Sequence, residues 1–326
     1  MIVVRTPLRM SFVWWGSDIA SFYRKQGWAV LSTSIDKYVY ITLNKKFDNK
    51  LRLSYSKTEI VDSSNELEHD LAKMILNYKW ITQWIEIVSI ADIPSEGSWL
   101  GSSSSFTIAM LHALWAYQNK HQSQEDLAEQ SCHIEIDLCQ KPIWKQDQYA
   151  AAYGWFNFIE FMQDDSVKVT PIVFSKEKKK ELESNLLLFY TGKTRSANNI
   201  LAEQSIDLWK KLDKIEWMRK MVTLAYQLKK DLENNNLETF GPLLHENRLL
   251  KKQMASAISN PQIDERYSKA MSAGAEWWKL LWAWGGGFLV FYVQPQYHNT
   301  VIESLKDLQY IPFSFDNEWS KVIYYK

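Results

Sequence analysis

Glycine is scarce in this sequence, at 11 of 326 residues. That is about 3%, where roughly 7% is ordinary. Cysteine is scarcer, with Cys132 and Cys139 alone. Two cysteines seven apart in one helical stretch give neither a disulfide framework nor a Cys/His zinc spacing, and free thiols fit a reducing cytoplasm. Net charge is missing too: Lys plus Arg and Asp plus Glu stand at 38 each. No surplus of one sign argues for nucleic acid or an anionic membrane. The apolar runs fall short of a spanning helix. The opening "MIVVRTPLRMSF" carries Arg5 and Arg9 in its apolar stretch and reads as a strand, not a signal peptide. Repeats of 20–50 residues are absent as well.

Present in excess is tryptophan, 16 residues. Hydrophobic residues make up 46% and charged residues 23%, enough for a large folded core. The length suits two domains. Residues 1–60 alternate like strands, with "WAVLSTSIDKYVYITLNKKF" and "KLRLSYS" expected to pair antiparallel about a polar turn near Phe47. Residues 66–88 follow helical spacing. "IEIVSIAD" then reads as a strand, "SFTIAMLHALWAYQNKH" as a helix, and 123–139 as another, with Ser123 as its N-cap. "FSKEKKKELES", 174–184, is a solvated charge run and the expected boundary between an N-terminal domain, 1–173, and a C-terminal domain, 185–326. "NLLLFYTG" opens the second half as a strand. Helical patterns fill about 196–275, and a strand after the triple glycine leads to a final strand-turn-strand. The layout is α+β, without regular βαβα alternation.

Two loops carry chemistry. In "PSEGSWLGSSSSFTIAML" a strand runs through Gly and Ser directly into a helix. Backbone N–H groups at such a helix start bind anions, and small side chains admit a phosphate. The Gly-Lys-Ser/Thr ending of a Walker A loop is absent. In "HIEIDLCQKPIWKQDQYAAAYG", Glu135 and Asp137 lie on a helix and Asp147 follows beyond a proline loop. One carboxylate can hold a metal while another orients or deprotonates a hydroxyl.

Four stretches in order, "TPLRMSF", "LGSSSSFTIAML", "KQDQYAAAYG" and "GGGFLVFY", resemble the GHMP kinase superfamily, which includes galactokinase, homoserine kinase and mevalonate kinase. The similarity runs over essentially the whole chain, and the branch it most resembles is that of the D-glycero-D-manno-heptose 7-phosphate kinases. The resemblance implies a two-domain GHMP kinase fold with nucleotide and substrate in the cleft between domains, ATP and Mg2+, and phosphorylation of a sugar hydroxyl for nucleotide-activated heptose and surface polysaccharide. It implies that Gly97, Gly101, Ser102, Ser103 and Ser104 wrap the nucleotide phosphates, and that Ser103 and Glu135 hold the metal. Asp147 would act on the attacking hydroxyl with Arg9 beside it, and Asp18 would accept from a sugar hydroxyl. Lys193 and Arg195, with Lys145, would meet a phosphate already on the substrate, since Arg suits bidentate phosphate contact. Gly285, Gly286 and Gly287 would form the turn under the phosphate loop. The partner implied is a small phosphosugar, with no nucleic acid and no membrane; a homodimer is compatible.

The resemblance also accounts for the glycine deficit. Where the family carries glycine, this chain has Trp14, Trp15, Trp28, Trp99, Trp144, Trp155, Trp277, Trp278, Trp282 and Trp284. Exchanging those ten would restore ordinary frequencies of both residues. We read them as overwritten glycine positions; the tryptophans at 80, 84, 115, 209, 217 and 319 fall in helical or strand patterns. Indoles in a phosphate loop would occupy ligand space, so the literal chain is expected to be inactive or poorly folded. Two rival functions remain: another small-molecule kinase such as a fucose-type enzyme, and a catalytically dead kinase-like binding protein that stacks a sugar or base on its indoles.

Overall fold

A computed structural model of the chain describes residues 1–13, 20–94, 100–141, 143–192, 212–254, 261–280 and 287–326. Asp18, Gly97, Lys193, Arg195, Gly285, Gly286, Trp14, Trp15, Trp99, Trp209, Trp282 and Trp284 lie outside the described residues, and Trp278 is described in its backbone alone.

The first half runs β1 (Ile2–Val13), α1 (Ala20–Gln26), β2 (Trp28–Lys45), β3 (Leu51–Ser54), β4 (Thr58–Val61), α2 (Asp70–Tyr78) and β5 (Ile85–Ala91). It continues through α3 (Ser102–Tyr117), α4 (Gln124–Cys132), α5 (Gln146–Tyr153), β6 (Phe156–Phe161), β7 (Val167–Pro171) and α6 (Lys176–Ser184). After β8 (Leu186–Tyr190) the described residues form the long helices Leu212–Glu233, Phe240–Met254 and Pro261–Ser272, then β9 (Ala275–Leu280) and β10 (Phe288–Val293). A helix over His298–Ser304 leads to β11 (Gln309–Ile311), β12 (Phe315–Asp316) and β13 (Lys321–Tyr325).

Among the described residues nine strands form one sheet whose spine is β13-β1-β2-β5-β3-β4, with β6 and β12 on β2 and β7 on β6. Four strands, β11-β8-β10-β9, form a second, antiparallel sheet. The two sheets divide at α6, except that β12 and β13 return to the first. On α6 only Leu182 is buried, so its charge run is a solvated face.

Alternation drives the long strand β2. Val39, Ile41 and Leu43 are buried while Tyr40 and Thr42 are half-exposed, the period-two pattern of a sheet with one covered face. Helix α3 is apolar all round and buried over most of its length, so it becomes the central helix, packed on β1, β2, α4 and α5. Each fully buried Leu, Ile or Met on it contributes about 1.5–3 kcal/mol.

Several sequence expectations change. β3 does not pair with β2: β5 lies between them, antiparallel to β2 and parallel to β3. The α2 crossover returns the chain as a strand that takes the place the hairpin would have used. Helix α2 stops at Tyr78 rather than running to 88, since Lys79 caps it and the backbone then turns left-handed at Trp80, φ 57°. Trp84 is left-handed as well, φ 64°. These two tryptophans therefore belong to neither helix nor strand. A left-handed backbone is strained for a bulky L-residue and natural for glycine. The stretch 123–139 begins as expected, with a reciprocal capping box between Ser123 and Asp126, but after Cys132 it widens into a π-helical turn over His133–Leu138. β9 and the helix His298–Ser304 were not legible in the pattern.

Candidate functional site

The site begins where β1 and α3 meet. The backbone N–H of Arg9 donates to the Leu100 carbonyl at 3.0 Å, and the Ser105 hydroxyl donates to the Pro7 carbonyl at 3.0 Å. These two bonds fasten the start of α3 to the strand. Gly101 is the N-cap, left-handed at φ 79°, and a Cβ there would stand 3.1 Å from Arg9 Cγ and 3.9 Å from Asp147 Cβ. Only glycine fits both the angle and the space. The helix ladder opens with Ser105 N–H donating to the Gly101 carbonyl, so the amides before it lie outside the ladder, at the positive end of the helix dipole.

Three consecutive residues at the start of α5 reach three different partners. Gln146 is buried, and its Oε1 accepts from the Ser11 hydroxyl at 3.2 Å. Asp147 faces Arg9: the Arg9 Nε and Nη2 donate to the same oxygen, Oδ1, at 2.8 and 2.7 Å. Its other oxygen, Oδ2, accepts nothing from the described residues. Gln148 is buried, and its Nε2 donates to Glu135 Oε1 at 3.3 Å. Arg9, projecting from the sheet, is only 4% exposed, whereas Asp147 is partly open to solvent. A buried guanidinium thus pins one carboxylate oxygen and leaves the other available.

Glu135 sits in the π-helical turn, a geometry frequent at functional sites. It is fully buried, and burial pushes its carboxyl above the ordinary range. Oε1 accepts from the Ser131 hydroxyl at 3.2 Å as well as from Gln148, while Oε2 is buried with no hydrogen-bond partner among the described residues, the Ser104 and Thr107 hydroxyls standing nearby. The orphaned oxygen fits a cation, and Mg2+ commonly takes one protein carboxylate with phosphate oxygens and water. Among the described residues no three His, Cys, Asp or Glu side chains cluster as a metal site, so such an ion would depend on its ligand's oxygens. Ser104 is buried beside Glu135; Ser103 is exposed.

Ser102 and Ser103 open onto a cavity of about 340 Å3 that Tyr55, His69, Phe106 and Lys141 also line. His69 stacks on Phe106, with ring centroids 5.2 Å apart, and stands edge-on to Tyr55 at 4.8 Å. Its Nδ1 accepts the Ala72 N–H, capping α2, and burial lowers its pKa. Aromatic faces and a helix start lining one cavity suit a ligand with a flat ring and an anionic tail. Lys145 caps α5, with its ammonium 5.1 Å above the Tyr23 ring. Gly287 is left-handed at φ 96°, and its carbonyl accepts the Thr191 N–H at 2.9 Å, joining β10 to the end of β8.

Sequence reasoning found Arg9, Asp147, Glu135 and the serine run. It missed Gln146 and Gln148, although two amides flanking an acid ahead of an all-alanine turn were a visible signal. It missed His69, Tyr55 and Phe106, which are distant in the chain and carry no motif.

The tryptophans divide. Trp28 and Trp144 are core side chains, so the fold absorbs both indoles. Trp277 is 1% exposed, stacks on Tyr292 and fills space that a Cβ on Gly241 would invade, 2.5 Å from its Cδ1. Its indole N–H is buried without a partner among the described residues. Trp155 is left-handed, φ 59°, directly after the left-handed Gly154.

Residues 70–155 match the GHMP kinases N terminal domain. The chain is 29% identical to a D-glycero-alpha-D-manno-heptose 7-phosphate kinase of Campylobacter jejuni, over 98% of each sequence. A crystal structure of a putative sugar kinase from Campylobacter jejuni superposes with a TM-score of 0.80 at 27% identity, covering 98% of this chain and 97% of that one. A D-glycero-D-manno-heptose 1-phosphate kinase from Bacteroides thetaiotaomicron shares the fold over the full length of both chains, with a TM-score of 0.81 at 24% identity. No helix among the described residues is long and apolar enough to cross a membrane.

Proposed function

We propose that this chain, which belongs to the GHMP kinase superfamily and is a sugar kinase within it, moves the γ-phosphoryl group of ATP to the anomeric hydroxyl of D-glycero-D-manno-heptose 7-phosphate. The products are ADP and the 1,7-bisphosphate. The bond from Pγ to the β,γ-bridging oxygen breaks, a bond from the sugar oxygen to Pγ forms, and the hydroxyl proton leaves through Asp147.

The observation that carries this reading is the Arg9–Asp147 pair against Gly101 at the start of α3. It sets a carboxylate oxygen without a partner among the described residues beside a helix N-terminus. That is the pairing phosphoryl transfer needs: a group to orient the hydroxyl and fixed dipoles to hold the phosphates. The nucleotide's base would lie among Tyr55, His69 and Phe106, and its phosphates along Ser102, Ser103 and Ser104, with Gly97 in the loop before them. Ser103 and Glu135 would hold Mg2+, which when bound neutralises phosphate charge. Asp18 would receive a sugar hydroxyl, and Lys193, Arg195 and Lys145 the substrate's own phosphate. Residues 1–173 and 185–326 would form the two domains around the cleft, with β12 and β13 joined to the first.

The test is ADP release from ATP and Mg2+ with heptose 7-phosphate, heptose 1-phosphate, fucose and mevalonate in parallel. Turnover with heptose 7-phosphate alone supports the reading; turnover only with fucose would move the chain to the fucose-type enzymes. Nucleotide binding without turnover on any of the four would indicate a catalytically dead relative.

A further inference from the structure

Lys141 lies in the loop between the π-helical turn and α5, and that loop is tied down. Its backbone N–H donates to the Glu135 carbonyl at 3.1 Å, and its carbonyl accepts the Ile143 N–H at 2.8 Å. The side chain is half-buried and lines the same cavity as Ser102 and Ser103. It is the one lysine or arginine among that cavity's described lining residues. The other cations of the site are engaged: Arg9 holds Asp147, and the Lys145 ammonium lies over Tyr23. His69 does not supply the charge, because burial and the neighbouring Lys141 both favour its neutral form. Asp70 sits on the exposed rim of the cavity, and the charge of Lys141 acts on the buried Glu135 carboxyl without an ion pair to it among the described residues. A lysine whose backbone is held in place, lining one cavity with a helix start and with no ion pair among the described residues, is placed for a polyanion.

We propose that Lys141 is a positioning residue for the donor's phosphate chain, neutralising it in the cavity it shares with the Ser102–Ser103 start of α3. The proposal rests on the reading of this cavity as the nucleotide site. It puts the rings of His69 and Phe106 and the charge of Lys141 on the wall of one pocket. Phosphate oxygens hydrogen-bonded to the ammonium would lose freedom before transfer, so the lysine acts on where the donor lies and not on the reacting hydroxyl.

The test compares binding of ATP, ADP and adenosine to the wild-type protein, Lys141→Met and Lys141→Arg by calorimetry, with thermal melting as the check on folding. Lys141→Met is expected to weaken ATP and ADP about tenfold and adenosine less than about twofold, because one charge-assisted contact is lost and adenosine carries no phosphate to make it. Lys141→Arg is expected to return most of the loss. The salt dependence of ATP binding is expected to flatten in Lys141→Met. Equal weakening of all three ligands, or no change in any, would overturn the assignment. A wild-type protein that binds adenosine and ATP equally well would overturn it too. Failure of the wild-type protein to bind any of the three would instead remove the nucleotide reading of the cavity, and the role of Lys141 with it.

Discussion

Arg9 and Asp147 are 138 residues apart in sequence, and their side chains meet through two hydrogen bonds on a single carboxylate oxygen. The arrangement leaves Oδ2 of Asp147 directed by Arg9 but not consumed by it. Asp147→Asn keeps an acceptor for the guanidinium and removes the carboxylate. Turnover is expected to fall by about 10²–10⁴, the usual contribution of a positioned acid–base group, while the Kd for ATP stays within about twofold. Single-turnover kinetics beside nucleotide titration would check this; unchanged turnover would exclude Asp147 from the chemistry.

Gly101→Ala tests the joint between β1 and α3. The new methyl would press on Arg9 Cγ at 3.1 Å, in a backbone with φ of 79°. Strain of about 1–2 kcal/mol is expected, together with displacement of the Arg9–Asp147 pair. Urea unfolding and turnover should therefore fall together. Loss of stability with full activity would show that the pair does not depend on this contact.

Much of this site was legible because its residues sit in short, ordered stretches: the serine run ahead of an unbroken apolar helix, and an acid between two amides ahead of "YAAAY". The strand order was not legible. Nothing local in "KLRLSYS" reveals that β5, thirty residues on, takes the place beside β2. Sheet pairing is decided by non-local packing, and alternation sets only which face is buried. The ring-lined wall of the cavity was hidden for the same reason, since Tyr55, His69 and Phe106 come from three separate elements.

The left-handed tryptophans extend the glycine reading beyond the motif positions. Trp80 is 91% exposed with φ of 57°, so its indole gains little burial while its backbone is strained. Trp80→Gly, Trp84→Gly and Trp155→Gly are each expected to stabilise the protein by about 1 kcal/mol. Trp115→Gly, in the last turn of α3, where the indole N–H donates to Gln130 and the Lys79 ammonium lies over the ring, is expected to destabilise it by more than that. Denaturant midpoints decide the matter, and destabilisation at all four would end this reading. The intact mass of the protein taken from the cells that make it is expected to be lighter than the printed sequence implies, by several Trp-to-Gly exchanges.

His112 couples α3 to the C-terminal strand. Its Nδ1 lies 3.0 Å from the Ser320 hydroxyl, which itself meets Thr6, and its ring stacks on Trp319. Burial pushes its pKa down to about 4, so the folded protein prefers the neutral ring. The contribution is whole above the ordinary histidine value and is lost as pH falls toward 4. It amounts to on the order of 3 kcal/mol. His112→Gln is expected to flatten the stability difference between pH 7 and pH 4.5, read from urea midpoints; an unchanged slope would mean that the acid sensitivity lies elsewhere.

The most direct measurement of the central claim is phosphorus NMR of a reaction containing ATP, Mg2+ and D-glycero-D-manno-heptose 7-phosphate, run with the wild-type protein and with Asp147→Asn. Expected with the wild-type protein is a new anomeric phosphomonoester signal growing in step with ADP, and none on that timescale with Asp147→Asn. ADP formed without a sugar bisphosphate, or a bisphosphate formed equally fast by Asp147→Asn, would contradict the account.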